Sequence, residues 1–116
     1  MAGLVTYGNG AKTKFLSVPE EIIVQNGAVS AIVAELMAKG VREGARVDIG
    51  LSITGIAGPA GGSPEKPVGT VFMGLATREG VWVERFLFTG DRHEIRQQAT
   101  EAALRMLLNY LEERFS

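Results

Sequence analysis

Residues 54–70 read Thr-Gly-Ile-Ala-Gly-Pro-Ala-Gly-Gly-Ser-Pro-Glu-Lys-Pro-Val-Gly-Thr, with five glycines and three prolines in seventeen residues. Pro59, Pro64 and Pro67 fix φ and restrict the residues before them. The glycines permit positive φ and let a ligand approach the backbone. That combination predicts a shaped loop with bare N–H groups, which suits an anion or a carbonyl oxygen. Arg92 and Arg96 stand one turn apart near a helix start, where cations are unhelpful. A bound anion resolves that conflict, and so does pairing with Asp91 or Glu94. Tyr7 and Lys12 bracket a Gly8-Asn9-Gly10 turn. Both can point into one cleft; alternatively, Tyr7 packs at the core edge and Lys12 is solvated. His93, the one histidine, lies in a charged first turn and reads as solvated. No Walker phosphate loop, GxGxxG, metal-ligand cluster or Ser-His-Asp constellation is present.

These residues need elements to position them. Leu4–Tyr7 reads as a strand, and Asn9 as the cap of a short helix over 11–16. Val18–Gly27 reads as a small helix with Pro19 in its first turn and glycine past its end. Ser30 caps a helix over 31–42, with Ile32, Val33, Leu36, Met37 and Val41 on one face and Gly44 as its stop. Val47–Ile53 is apolar on nearly every residue, which predicts a strand buried on both faces, as in a parallel sheet covered by helices. Its carboxyl end delivers Thr54 and the loop, and in open α/β sheets ligands bind beyond such ends. Val68–Thr77 and Val81–Phe88 form an antiparallel hairpin across Arg78-Glu79-Gly80. Trp82 and Phe86 share a face and read as packing. Asp91 caps the last helix, with Glu94 completing a capping box. Its apolar positions are Ile95, Ala99, Ala102, Ala103, Met106, Leu107, Tyr110 and Leu111.

The 116 residues are 46% hydrophobic, with a net charge of −1 and no cysteine. One domain is expected. Nucleic acid is a poor partner for this charge balance, and neither a disulfide framework nor a thiolate metal site is possible. With no signal-peptide pattern and no apolar run of about eighteen residues, a soluble, cytoplasmic protein with no membrane partner is expected.

Several stretches together resemble one family. They are Val5-Thr6-Tyr7-Gly8-Asn9-Gly10-Ala11-Lys12, Gly27-Ala28-Val29-Ser30, Thr54-Gly55-Ile56-Ala57-Gly58-Pro59, Glu65-Lys66-Pro67-Val68-Gly69-Thr70-Val71, and Gly90-Asp91-Arg92 with Ile95-Arg96. Their order and spacing are similar to the C-terminal domain of the CinA (competence/damage-inducible) family, the bacterial nicotinamide-mononucleotide amidase. The resemblance covers essentially all of residues 1–116. It implies a three-layer α/β/α fold with a mixed sheet, self-association, and hydrolysis of the carboxamide of nicotinamide mononucleotide to nicotinic acid mononucleotide and ammonia. It implies a serine nucleophile with tyrosine and lysine nearby and no metal or other cofactor. A serine needs a neighbouring base, which a desolvated lysine can supply, and loop N–H groups can hold the oxyanion. By match to the family motif, Tyr7 and Lys12 take the catalytic positions. Asn9, Thr54, Gly55, Ala57, Gly58, Pro59, Lys66, Gly69 and Thr70 take substrate-binding ones. Arg96 is assigned to the nucleotide phosphate, where a bidentate guanidinium fits.

The sequence departs from the family pattern both before and within the Thr-Tyr motif. The family carries a helix, a strand and a Glu-Ser-Cys-Thr-Gly-Gly nucleophile segment before the Thr-Tyr motif, and Gly8 and Gly10 replace that motif's serine and glutamate. The expectation is a domain truncated at its N-terminus, with a sheet edge completed by association or by another fragment, and with turnover impaired. Ser17, Ser30, Ser52 and Ser63 remain, and Ser63 is the one to test as a substitute nucleophile. The alternative reading is a non-catalytic nucleotide-binding or protein-interaction module linked to competence.

Overall fold

The structure, a computed structural model, describes residues 19–27 and 29–115. The strand expected at 4–7 and the helix expected over 11–16 lie outside them. Helix α1 spans Glu20–Asn26, with both first-turn glutamates at its positive end. Gly27 follows at φ 82°. Helix α2 spans Ala31–Ala45. The Ser30 cap forms as expected: its Oγ accepts from Val33 N at 3.4 Å and donates to Gly27 O at 2.8 Å.

The other end of α2 differs from the reading. The helix runs through Gly44 and stops on Arg46, which is left-handed at φ 54°, ψ 47°. Arg46 N donates to Glu43 O at 3.3 Å and Val47 N to Arg42 O at 3.1 Å. This is the paired closure of a Schellman motif, which needs its left-handed residue one position past the helix, wherever glycine happens to fall. Arginine there carries a Cβ penalty. Arg46→Gly is therefore expected to stabilise the fold by about 1 kcal/mol, raising Tm by about 4 °C. A calorimetric scan showing no rise would remove that account.

Strands β1 (Gly50–Gly55), β2 (Thr70–Thr77) and β3 (Gly80–Leu87) form one sheet in the order β1-β2-β3. Both described pairings are antiparallel, with Ser52 opposite Gly74 and Phe72 opposite Arg85. The α/β class and the 81–88 hairpin reading stand. The parallel pairing expected for the 47–53 run is not found among the described strands, and the strand starts at Gly50. An apolar run records burial on two faces, and helices on both sides of an antiparallel sheet bury it equally.

The two faces have different chemistry. On one face α2 lies directly on the backbone: a Cβ on Gly50 would stand 2.3 Å from Ala38 O, and one on Gly74 2.5 Å from Ala34 O. Ser52, fully buried, donates its hydroxyl to Ala34 O at 2.6 Å. Small residues on the strands and Ala34 and Ala38 on the helix let the layers touch. Val33, Met37 and Val41 then fill a core with Ile22, Ile32 and Leu36. On the other face lies helix α3 (Arg92–Phe115), whose Ala99 and Ala103 pack with Val71 and Met73 against Leu51 and Ile53. The result is α2, sheet and α3 in three layers. No described helix is long and apolar enough to cross a membrane.

The expected capping box of α3 is present: Glu94 N donates to Asp91 Oδ1 at 2.8 Å, and Asp91 N to Glu94 Oε1 at 3.0 Å. Trp82 and Phe86 pack as read, Trp82 6.0 Å from the Tyr110 ring and Phe86 stacked on Phe88 at 5.3 Å. The Tyr110 hydroxyl donates to Glu79 at the hairpin turn, 2.7 Å away.

Candidate functional site

The loop between β1 and β2 is a closed structure with its own hydrogen bonds. At its base Ile56 N donates to Thr70 O at 2.9 Å, and Gly69 N to Ile56 O at 2.7 Å. The β1–β2 ladder thus continues past Gly55 before the chain opens out. Thr70 N and Thr70 Oγ1 both donate to Pro67 O, at 3.0 and 2.7 Å. At the tip, Ser63 N donates to Lys66 O at 3.0 Å and Lys66 N to Ser63 Oγ at 3.1 Å. A hydroxyl closing a four-residue turn in this way competes with water for the same backbone group. The expectation of a loop lined with bare N–H groups is corrected for Ile56, Ser63, Lys66, Gly69 and Thr70, each of which is spent inside the loop. Among the described residues, the N–H groups of Ala57 and Gly58 donate to no protein acceptor.

Among the described residues, three long cationic side chains fasten this loop to the rest of the fold. Arg92 Nη1, from the first turn of α3, donates to Gly58 O at 3.1 Å. Arg85 Nη2, from β3, donates to Glu65 O at 2.8 Å while its guanidinium lies 5.6 Å from the Phe72 ring centroid. Lys66 Nζ reaches Asn26 O at 3.0 Å, a carbonyl at the end of α1. The last carbonyls of a helix have no intrahelical donor, and a cation there also meets the negative end of the dipole. Of the two partners weighed for Arg92, Asp91 and Glu94 hold backbone N–H groups instead, and among the described residues neither forms an ion pair with it. The cation at the helix start is accommodated by a carbonyl dipole.

The expected site residues fall into groups. Thr54, Gly55, Gly69 and Thr70 meet at the loop base. Thr54 and Thr70 are almost wholly buried, and Thr54 has a partner of its own, so both threonines act on the loop from inside. Ala57 is half-buried, Gly58 buried and Pro59 exposed, after a cis Gly58–Pro59 bond. Lys66 is turned toward α1. Arg96 is exposed, one turn beyond Arg92, and is engaged in an interaction. His93 is exposed, as read. Tyr7, Asn9, Lys12 and Ser17 lie outside the described residues. The remaining serines named as candidates are all committed: Ser30 to its cap, Ser52 to Ala34 and Ser63 to the loop turn.

Sequence reasoning missed Arg85 and the loop-directed role of Arg92. Arg85 carries one local signal, a charge in the middle of an alternating strand. Nothing local tells that it reaches a carbonyl twenty residues away. A groove of about 380 Å³ between β3 and α3, floored by Phe86, Phe88, Ala102 and Met106, is lined by no residue of the loop. Among the described residues no group of three His, Cys, Asp or Glu is placed to hold a metal ion.

Comparison with known proteins agrees with this architecture. The family model described as the CinA C-terminal domain matches residues 1–111. A CinA-like protein of Citrifermentans bemidjiense is 53% identical over 111 residues, covering 96% of this chain and 27% of that protein. A CinA-like protein of Geotalea daltonii is 53% identical over 107 residues, 92% of this chain and 26% of that one. The chain thus spans about a quarter of the length of these curated relatives. Among solved structures, the competence/damage inducible protein CihA from Agrobacterium tumefaciens is similar with a TM-score of 0.86 at 40% identity, over 90% of this chain and 64% of that one.

Proposed function

The chain belongs to the CinA C-terminal domain family, and from that premise we propose that its 54–70 loop forms one wall of a site for nicotinamide mononucleotide, in an amidohydrolase domain acting on the carboxamide. The observation that carries this reading is the loop itself, closed at its base and held by Arg85, Arg92 and Lys66 to three separate elements. A long glycine-rich loop fixed so thoroughly is preorganised, which is what differential binding of a transition state needs. In the proposed site Ala57 and Gly58 offer N–H groups to the carboxamide oxygen. Thr54, Gly55, Gly69 and Thr70 hold the backbone that presents them, with Pro59 and Lys66 on the same loop. Arg96 takes the phosphate, and Asn9 belongs to the substrate-binding set. Lys12 is the base and Tyr7 its neighbour in proton transfer.

Hydrolysis also needs a nucleophile. Within these 116 residues no serine stands at the position the resemblance gives it, and Ser30, Ser52 and Ser63 hold structural hydrogen bonds. The reading is therefore that residues 1–116 by themselves bind the mononucleotide without appreciable turnover. The test is ammonia release from nicotinamide mononucleotide beside a calorimetric binding titration. Saturable heat with no ammonia is expected, and Ser63→Ala is expected to leave binding within about twofold, as for an exposed polar position. Turnover abolished by Lys12→Ala would replace the binding-only reading with a catalytic one.

The similar Agrobacterium tumefaciens protein is named for competence and damage induction, which keeps a regulatory, protein-binding module as the second reading. It predicts no thermal shift with any nicotinamide nucleotide. The proposal also includes a cytoplasmic, self-associating protein without nucleic-acid or membrane partners. Leu104 and Leu108, each 56% exposed and one turn apart on α3, supply apolar surface for that association. Light scattering showing a stable, folded monomer would refute it.

A further inference from the structure

We infer that Arg92 is a positioning residue for the loop: its guanidinium holds the Gly58 carbonyl and so fixes the limb from Ile56 to Pro59, and its charge does not contact the ligand. The inference rests on the proposed ligand wall but makes a separate claim about how that wall is held. Arg92 and Gly58 are 34 residues apart in sequence and meet at 3.1 Å in a partly buried contact. Gly58 also has no room for a side chain: a Cβ there would come within 2.6 Å of Val68 Cγ1, so the limb is packed against Val68 as well as bonded to the guanidinium.

The local electrostatics favour this partner. Asp91 and Glu94, the nearest carboxylates in sequence, are locked in reciprocal bonds to each other's backbone N–H groups. Arg92 sits where the helix dipole disfavours a cation, and a carbonyl oxygen pointing at it offsets that cost. A charged donor to a carbonyl is among the stronger hydrogen bonds. The two anchors at the tip, Arg85 on Glu65 O and Lys66 on Asn26 O, hold a different part of the loop. Loss of Arg92 should therefore loosen the limb around Gly58 and leave the tip in place. The amides that report this are Ile56, which donates to Thr70 O, and Gly69, which donates to Ile56 O, both at the loop base, where Ile56 stands two residues before Gly58.

The experiment compares Arg92→Ala with Arg92→Lys, which keeps a charged donor of similar reach. In the unliganded chain, amide exchange at Ile56 and Gly69 is expected to rise about tenfold in Arg92→Ala and to stay within about threefold of the parent in Arg92→Lys. Exchange at Met73, in the middle of β2, stays unchanged in both. In titrations, Arg92→Ala is expected to weaken nicotinamide mononucleotide and nicotinamide riboside by the same factor, because a displaced wall does not distinguish a phosphate. Unchanged exchange at Ile56 and Gly69 in Arg92→Ala would overturn the inference. So would a loss confined to the phosphate-bearing ligand, the mark of direct anion binding. If neither ligand binds the parent chain, the proposed function fails and the exchange measurement alone decides the role of Arg92.

Discussion

Gly69→Ala is expected to remove about 4 kcal/mol of stability and to open the loop at its base. Two separate costs add at this position. The residue sits at φ 99°, where L side chains are strained, at about 1–3 kcal/mol. A Cβ would also stand 2.0 Å from Phe88 O and 3.0 Å from Phe88 C, which are backbone atoms with no rotamer to escape into. Overpacking of that kind costs about 1–3 kcal/mol more. Relief by moving the chain is not available cheaply. Gly69 O accepts from Phe88 N at 2.9 Å, and Gly69 N donates to Ile56 O at 2.7 Å. Shifting Gly69 away from Phe88 breaks both, detaching the loop from the residue that follows β3 and from its own other limb. Domains of this size are stable by only about 5–15 kcal/mol, so the variant should melt at least about 15 °C below the parent. Any ligand binding by the loop should disappear at temperatures where the rest remains folded. A melting temperature within about 4 °C of the parent would mean that the approach of Gly69 to Phe88 is not as close as described.

Gly74→Ala is the second large effect, and its sign is the informative part. Glycine in a strand interior is normally a weak point, and alanine there is favourable by about 0.5–1 kcal/mol through the unfolded chain. Gly74 has ordinary extended backbone in the middle of β2, so a reading from strand propensity alone predicts stabilisation. The packing predicts the reverse. The added Cβ would meet Ala34 O at 2.5 Å, Ser52 Oγ at 2.9 Å and Ala34 C at 3.0 Å. The α2 layer would have to lift from the sheet, breaking the Ser52 bond to Ala34 O and leaving the buried Ser52 hydroxyl without its acceptor. The net expectation is a loss of about 2–3 kcal/mol, read as a lower urea midpoint with an unchanged slope. Adding Ser52→Ala to Gly74→Ala should cost less than the sum of the two single changes, because both act on the same carbonyl. A stabilised Gly74→Ala chain would show that α2 does not seat on the sheet backbone here.

These two glycines also separate what could be read along the chain from what could not. Caps and turns are local, and they were legible. Ser30 closes α2, Asp91 and Glu94 close α3, and Gly80, at φ 150°, sits at the hairpin turn. The apolar faces of α2 and α3 were legible because helical spacing fixes which residues share a side. The loop was legible as a shaped element because glycine and proline act on their own φ.

Strand direction was not legible, since burial on two faces is common to parallel and antiparallel layers. The fate of the long polar side chains was not legible either. The family resemblance points Lys66 at a substrate, and it lies on Asn26 O; the helix start points Arg92 at a carboxylate or an anion, and it lies on Gly58 O. A cation's partner is whichever acceptor the fold brings within about 3 Å of its head group, and that is a property of the packing of distant elements. The family, the elements and a loop built to be rigid thus follow from residue order, because each rests on local conformation or spacing. That the loop's charged neighbours hold its backbone, and that Ser30, Ser52 and Ser63 are already in structural use, follows from how distant elements pack.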